Sequence, residues 1–230
     1  MLTVICVKFG DRYNREYVEK LRNMVNRHLS IPYEFVCLTD DKQPFDNIKS
    51  IHLPNLNYPN GWWYKVHLFD PALPISGPVL YFDLDIVIHD SIDKLIPKEN
   101  EFKGIRDFNR KFNPKLNSLN SSVMGWIHGQ QSDIWTAFIS SRSDAFKLHG
   151  DQDWIWKLAN KRITFWFDEW IRSYKWEIRE RSEIVISTGK RNFASARDDI
   201  TISPDCCLTV FHGEPKPNEV NDPYVLLNWR

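Results

Sequence analysis

Two aspartates, Asp83 and Asp85, stand inside an otherwise apolar run from Val79 to Ile88. A buried charge persists only when it is paired or bound to a metal. Carboxylates two residues apart offer the hard oxygens that suit Mg²⁺ or Mn²⁺. Further along, Asp151, Gln152 and Asp153 crowd the start of a helix, where acids and free amide donors meet favourably. Near the C-terminus an apolar stretch from Cys207 runs into His212 and Gly213, then into a proline-stiffened loop bearing Lys216. Lys65 lies on a short helical stretch ahead of the two aspartates. Each group has a plainer alternative. The aspartates can cap a strand end, and Asp151 can be a simple N-cap. His212 can bond to backbone, and the lysines can be solvated.

The elements that must position these groups follow from the apolar pattern. Residues 2–9 read as a buried strand. Asn14 can cap a helix over about 15–29, with Tyr17, Val18, Leu21, Met24 and Val25 on one face. Residues 33–38 and 48–53 read as the second and third strands. A short helix follows the Asn60-Gly61 turn and stops near Pro71. The run 78–88 reads as one strand buried on both faces, as in a mostly parallel sheet. A short helix capped near Asp90, a strand over 101–106 and a strand over 119–127 come next. Residues 107–119 read as a loop over the site. Helices are expected over 132–140 and from 151 to about 159, and strands over 163–167 and 184–187. The strand–helix alternation places the chain in the α/β class. One domain is expected over 1–230, with a nucleotide-binding half to about 106, a closing half to about 217, and a tail over 218–230. No GxGxxG or GxxxxGK[ST] sequence is present, so neither dinucleotide nor P-loop chemistry is indicated.

Composition narrows the function. The chain has 230 residues, 42% hydrophobic and 26% charged, and a formal net charge of zero. This balance speaks against nucleic acid as a partner. No apolar run approaches the roughly 18 residues of a membrane span, although peripheral membrane contact stays open. The start reads as a first strand and not as a signal peptide. Four cysteines, without metal-binding spacing, fit a reducing cytosol. The 10 Trp include the clusters Trp62-Trp63 and Trp154-Ile155-Trp156, which exceed core needs and suggest a ligand surface.

In this order the motifs resemble those of the GT-A fold nucleotide-sugar glycosyltransferases, in the glycogenin-like and bacterial galactosyltransferase-like branch. Asp83-Leu84-Asp85 matches the DxD motif at the end of an apolar strand. Asn120 to Gly125 loosely matches an Asn-x-Gly segment, and Asp151 to Asp153 an Asp-Gln-Asp turn. The closing His-x-x-Gly-x-x-Lys-Pro segment is matched in compressed form by His212, Gly213 and Lys216. Lys65 takes the place of a basic residue ahead of the DxD strand. The resemblance covers about residues 1–217. It implies a GT-A, Rossmann-like fold with a mixed, mostly parallel sheet flanked by helices. It also implies transfer, with retention, from a nucleoside-diphosphate sugar such as a UDP-sugar to a glycan, lipid-linked or protein acceptor. Asp83, Asp85 and His212 would hold Mn²⁺ or Mg²⁺, the nitrogen ligand favouring Mn²⁺. Lys65 and Lys216 would neutralise phosphate charge. Phe9 or Tyr13 would stack the base, and Asn120, Ser121 and Gly213 would contact the donor. Asp151 or Asp153 would hold sugar hydroxyls, with Gln152 facing the anomeric carbon.

Two other functions fit parts of the chain. Asp83 to Val87 also matches the opening motif of haloacid-dehalogenase-like phosphatases, with residues 184–189 and Asp198-Asp199 imitating later motifs. Against this, three strands precede the motif instead of none. The tryptophan clusters would equally suit a non-catalytic sugar-binding module, which needs no acids in a buried strand.

Overall fold

The computed structural model describes residues 1–179 and 200–230, and the backbone of 184–187 and 190–193. The strands are β1 (Leu2–Lys8), β2 (Tyr33–Thr39), β3 (Lys49–His52), β4 (Pro78–Phe82), β5 (Ile86–Ile88), β6 (Phe102–Arg106), β7 (Leu119–Ile127), β8 (Ile163–Phe165), β9 (Ile171–Ser173), β10 (Ile184–Ser187), β11 (Lys190–Phe193) and β12 (Leu208–Val210). The α-helices are α1 (Arg15–His28), α2 (Ser132–Ser140), α3 (Arg142–Ala145), α4 (Asp151–Ala159) and α5 (Pro223–Asn228). Seven strands form one sheet in the order β3-β2-β1-β4-β7-β6-β8. Only β7 runs against its neighbours, so the sheet is mostly parallel.

Alternation along each strand divides the core between two faces. Leu80 and Phe82 of β4 join the cluster that holds Val18, Leu21 and Val25 of α1. Val79 and Tyr81 join the opposite cluster, with Trp63 and Val66, Ile134 of α2 and Ile155 of α4. A sheet covered on both faces explains why its strands read as continuous apolar runs.

The apolar run 78–88 is two strands and not one. β4 ends at Phe82, and β5 leaves the main sheet to pair antiparallel with β12, which in turn pairs with β9. The Asp83–Asp85 segment is the bend between the two sheets. It is held on one side by Asp83 N–H donating to Ser122 O (2.8 Å) and on the other by Phe211 N–H donating to Asp85 O (2.9 Å). Alternation cannot reveal such a change of partner, because both strands are buried. The helical stretch Gly61–Phe69 is 3-10 in geometry. The turn near Asp90 is a 3-10 turn over Asp93–Leu95, and the Asp93 carboxylate accepts from Ser30.

One buried and one half-buried histidine set an acid limit on this fold. Burial pushes the His67 and His89 imidazoles down to about 4, while in an unfolded chain they titrate near 6.5. Below about 6.5 the unfolded chain takes up protons that the folded chain refuses. Stability is therefore highest above that pH and falls as pH drops toward 4, by on the order of 1–2 kcal/mol per histidine at pH 5. Chemical denaturation at pH 7 and pH 5 is expected to show the loss, and His89→Asn to remove part of it; a slope unchanged by that substitution would contradict the assignment.

Candidate active site

A cleft of about 700 Å³ opens where β1 and β4 end and the antiparallel β7 begins. That is the edge of an open α/β sheet where ligands bind, and the volume suits a small-molecule site. Three features of the backbone build its walls. Beyond β1 the chain turns through Gly10, at φ +69°, whose N–H donates to Asp40 Oδ2 (3.0 Å). In β7 the pairing with β6 slips: Gly104 faces Met124, but Ile105 faces Asn120. The bulge takes Ser121 and Ser122 out of that ladder and turns them to the cleft. Third, Phe211 joins the DxD bend and brings His212, Gly213 and Lys216 with it.

Asp83 meets its partners across one face of the sheet. Lys65 Nζ lies 2.9 Å from Asp83 Oδ1 and 3.4 Å from Asp151 Oδ2. It also donates to Ser121 Oγ (3.1 Å), which donates to Asp151 Oδ2 (2.8 Å). Tyr81 O–H donates to Asp83 Oδ1. Burial pushes the Asp83 carboxyl up, but Lys65 and the hydroxyls of Tyr81 and Ser122 outweigh it and hold it below the usual range. Asp151 goes the other way: burial, reinforced by the Asp83 charge, raises it despite Lys65. Lys65 itself is raised, since the two carboxylates overcome its burial.

Asp85 has a separate set of partners. Lys216 Nζ donates to Asp85 Oδ2 at 2.5 Å, and Tyr13 O–H donates to the same oxygen at 2.9 Å. Two aspartates two residues apart are thus served by lysines 151 positions apart in the sequence, Lys65 and Lys216.

All the residues assigned to the site from the sequence motifs line this cleft, whereas of the two tryptophan clusters only Trp62 does, and several site residues have work other than that expected. Asp151 is 5% exposed and anchors Lys65 and Ser121, which leaves Asp153 as the more open acid. Gln152 is held at both ends: its Oε1 accepts from Ser121 N–H (3.2 Å), and its Nε2 donates to Asp107 Oδ2 (3.1 Å). Asn120 Oδ1 accepts from Ser122 N–H (3.0 Å), fixing the bulge. The Phe9 ring stacks on Tyr64 with centroids 3.5 Å apart, so one face is taken. Tyr13 is tied to Asp85 by its hydroxyl. His212 stacks on Phe108 (4.9 Å), and its Nε2 lies 2.7 Å from Ser173 Oγ. Burial first, then the charges of Lys175, Lys216 and Arg110, push this imidazole well below its ordinary value.

The loop 107–119 is also different from expected. No residue of it lines the cleft. Its first turn, Phe108–Lys111, is anchored: Phe108 is 1% exposed, and Arg110 pairs with Glu177 (3.0 Å) and Asp168 (3.4 Å). Sequence reasoning missed Tyr81, although its position two residues before Asp83 on one strand face is a readable signal. It also missed Arg12, Asp11 and His149, which carry no such signal.

Gly213 has φ +72°, and a Cβ there would come within 2.6 Å of Lys175 Nζ. Gly213→Ala is expected to cost about 1–2 kcal/mol, the penalty for a left-handed non-glycine residue. It should also shift the turn that carries Lys216. Denaturation together with nucleotide titration checks this; a substitution neutral in both would show that the turn tolerates a side chain.

Do these residues suit a divalent cation? Among the described residues, no three His, Cys, Asp or Glu side chains stand close enough together to grip an ion as they are. Lys216 already rests on Asp85. The donor set nevertheless fits: two carboxylates and one neutral imidazole line one cleft. The charge fits too. Among the described residues, Asp11, Asp83, Asp85, Asp151 and Asp153 line the cleft against Arg12, Lys65 and Lys216, five acids to three bases. Such a surplus of acid repels a diphosphate unless a cation comes with it.

No protein-family model matches the sequence, and no curated protein matches it. The structure does have relatives. The glycosyltransferase GlyE of Streptococcus pneumoniae TIGR4 superimposes with a TM-score of 0.64 at 13% identity, covering 100% of this chain and 62% of GlyE. The galactosyltransferase LgtC, in complex with donor and acceptor sugar analogs, gives 0.60 at 12% identity, covering 94% of this chain and 88% of LgtC. The chain has the GT-A glycosyltransferase fold. The bifunctional glycosyltransferase WbbM is a further match, with a TM-score of 0.59 at 13% identity over 94% of this chain and 46% of WbbM. This chain therefore spans less than two thirds of the length of GlyE. At such identities the GT-A likeness concerns the fold, and the chemistry rests on the cleft.

Proposed function

We propose that this GT-A chain is a divalent-cation-dependent glycosyltransferase, moving a sugar from a nucleoside-diphosphate donor, UDP first among them, to a glycan or glycoconjugate acceptor. One observation carries the proposal: lysines and carboxylates from distant parts of the chain converge at the carboxyl edge of the sheet, around a DxD bend. Asp83, Asp85 and His212 would hold Mn²⁺ or Mg²⁺, which when bound would offset the charge of the departing diphosphate. Lys65 and Lys216 would supply ammonium groups to the phosphates, and Gly213 lets the backbone approach them. Asp153 and Gln152 would orient the sugar. Retention of anomeric configuration belongs to the same proposal; proton NMR of the first-formed product decides it.

The phosphatase alternative loses support. Its nucleophile would be Asp83, yet β1, β2 and β3 all precede the strand that carries it. Its candidate motif residues Thr188, Gly189, Asp198 and Asp199 lie outside the described residues. A sugar-binding module leaves the buried carboxylate–lysine set without a purpose. No helix among the described residues is long and apolar enough to cross a membrane. All four cysteines are buried free thiols, which supports a reducing compartment such as the cytosol.

Thermal denaturation against a panel of sugar nucleotides tests the proposal. At 100 times its Kd, a binder stabilises by about 2.7 kcal/mol, so a matching donor with Mn²⁺ should raise the melting temperature by several degrees. No shift with any nucleoside diphosphate, combined with turnover of an aryl phosphate, would favour the phosphatase.

A further inference from the structure

Trp62 and Trp63 open the 3-10 helix that carries Lys65, yet the structure treats them differently. Trp63 is 1% exposed, and its ring packs on Phe138 and Phe146. Trp62 is 40% exposed, lines the cleft, and has no ring partner among the described residues. Its edge faces the start of α4: a Cβ added to Gly150 would come within 3.3 Å of Trp62 Nε1 and 3.5 Å of Cδ1. A glycine therefore leaves the indole room against the turn that leads into Asp151, Gln152 and Asp153.

An exposed indole at a cleft rim offers a flat apolar face with a polar edge. A pyranose ring is its complement, with one face of C–H groups and a rim of hydroxyls. Stacking would bury the C–H face and leave the hydroxyls to polar neighbours on the same wall, His149 and Asp153. Apart from Lys65, the phosphate-suited groups come from other elements, Asp85 from the DxD bend and Gly213 and Lys216 from the C-terminal segment. The reacting donor must be shielded from water, whereas the second substrate arrives from solvent and trails back into it. A rim tryptophan suits the second substrate.

Resting on the sugar-transfer function above, we infer that Trp62 is the stacking platform for a pyranose ring of the acceptor. The test uses methyl β-D-glucopyranoside, methyl β-D-galactopyranoside and lactose as probes, with UDP, UDP-glucose and UDP-galactose plus Mn²⁺ as the donor arm. Protein NMR follows the Trp62 indole N–H resonance, assigned by its loss in Trp62→Phe. At least one glycoside should shift it. Trp62→Ala should weaken that glycoside about tenfold or more, and Trp62→Phe, which keeps a flat ring, should weaken it less. Affinity for UDP and for the UDP-sugars should be the same in Trp62→Ala and wild type. Absence of a shift with every glycoside, or equal glycoside affinity in Trp62→Ala, overturns the inference. A loss confined to the UDP-sugars makes Trp62 a platform for the donor sugar, and a loss that includes UDP makes it a platform for the base; either outcome overturns the acceptor assignment. Glycoside binding that depends on Trp62 in a protein that binds no nucleotide would sink the transferase function and leave a sugar site standing.

Discussion

Lys65→Met is expected to cost the fold about 3–5 kcal/mol, the range for breaking a buried ion pair by removing one partner. The Lys65 side chain is 10% exposed and stands between the side chains of Asp83, at 24%, and Asp151, at 7%. Without the ammonium, two carboxylates face each other across a site shielded from water. Asp151 is the one that yields by taking a proton, since burial already raises it. Asp151→Asn added to Lys65→Met should therefore recover part of the loss. Urea denaturation with an unchanged m-value reads both effects. A cost below about 1 kcal/mol would place the trio among solvated surface pairs.

Asp85→Asn is expected to lower transfer by on the order of 100-fold or more, comparable to losing one group that stabilises developing charge. Its counterpart, Lys216→Met, should separate two roles. Lys216 sits on the Asp85 oxygen that a cation would need. Removing it should raise the affinity for Mn²⁺ alone, by up to about tenfold, and lower the affinity for nucleoside diphosphate. Calorimetry with Mn²⁺ alone, then with UDP in the presence of Mn²⁺, reads the two effects apart. An Asp85→Asn protein with wild-type turnover would remove the DxD bend from the chemistry. A Lys216→Met protein with unchanged Mn²⁺ affinity would show that the lysine does not compete with the ion.

The sheet was legible because its strands are apolar on both faces and its helices keep a clean stripe, as in Val18, Leu21 and Val25 of α1. The candidate site was legible where charge interrupts that pattern: Asp83, Asp85 and the Asp151–Asp153 turn. What alternation could not show was a change of partner. The run 78–88 keeps its apolar character while passing from one sheet to another. The β7 bulge at Ser121 and Ser122 depends on register against β6, which leaves no local mark. The pairing of Asp85 with Lys216 spans 131 positions and exists only through the β5–β12 ladder. Loop 107–119 is polar enough to suggest a mobile flap. Its Phe108 and Arg110 are nevertheless buried, through an aromatic stack on His212 and a bond to Glu177. Those partners lie too far along the chain to be read from composition.

The most direct measurement is a calorimetric titration of UDP into the wild-type chain, with Mn²⁺ and again in excess chelator, repeated with Asp85→Asn. Among the described residues five acids against three bases line the cleft, so binding of a diphosphate should require the cation. The expected result is a single site with Mn²⁺, a loss of at least about tenfold in chelator, and a comparable loss in Asp85→Asn. Full UDP affinity in chelator, or no UDP binding under any condition, would contradict a cation-dependent nucleotide site at the DxD bend.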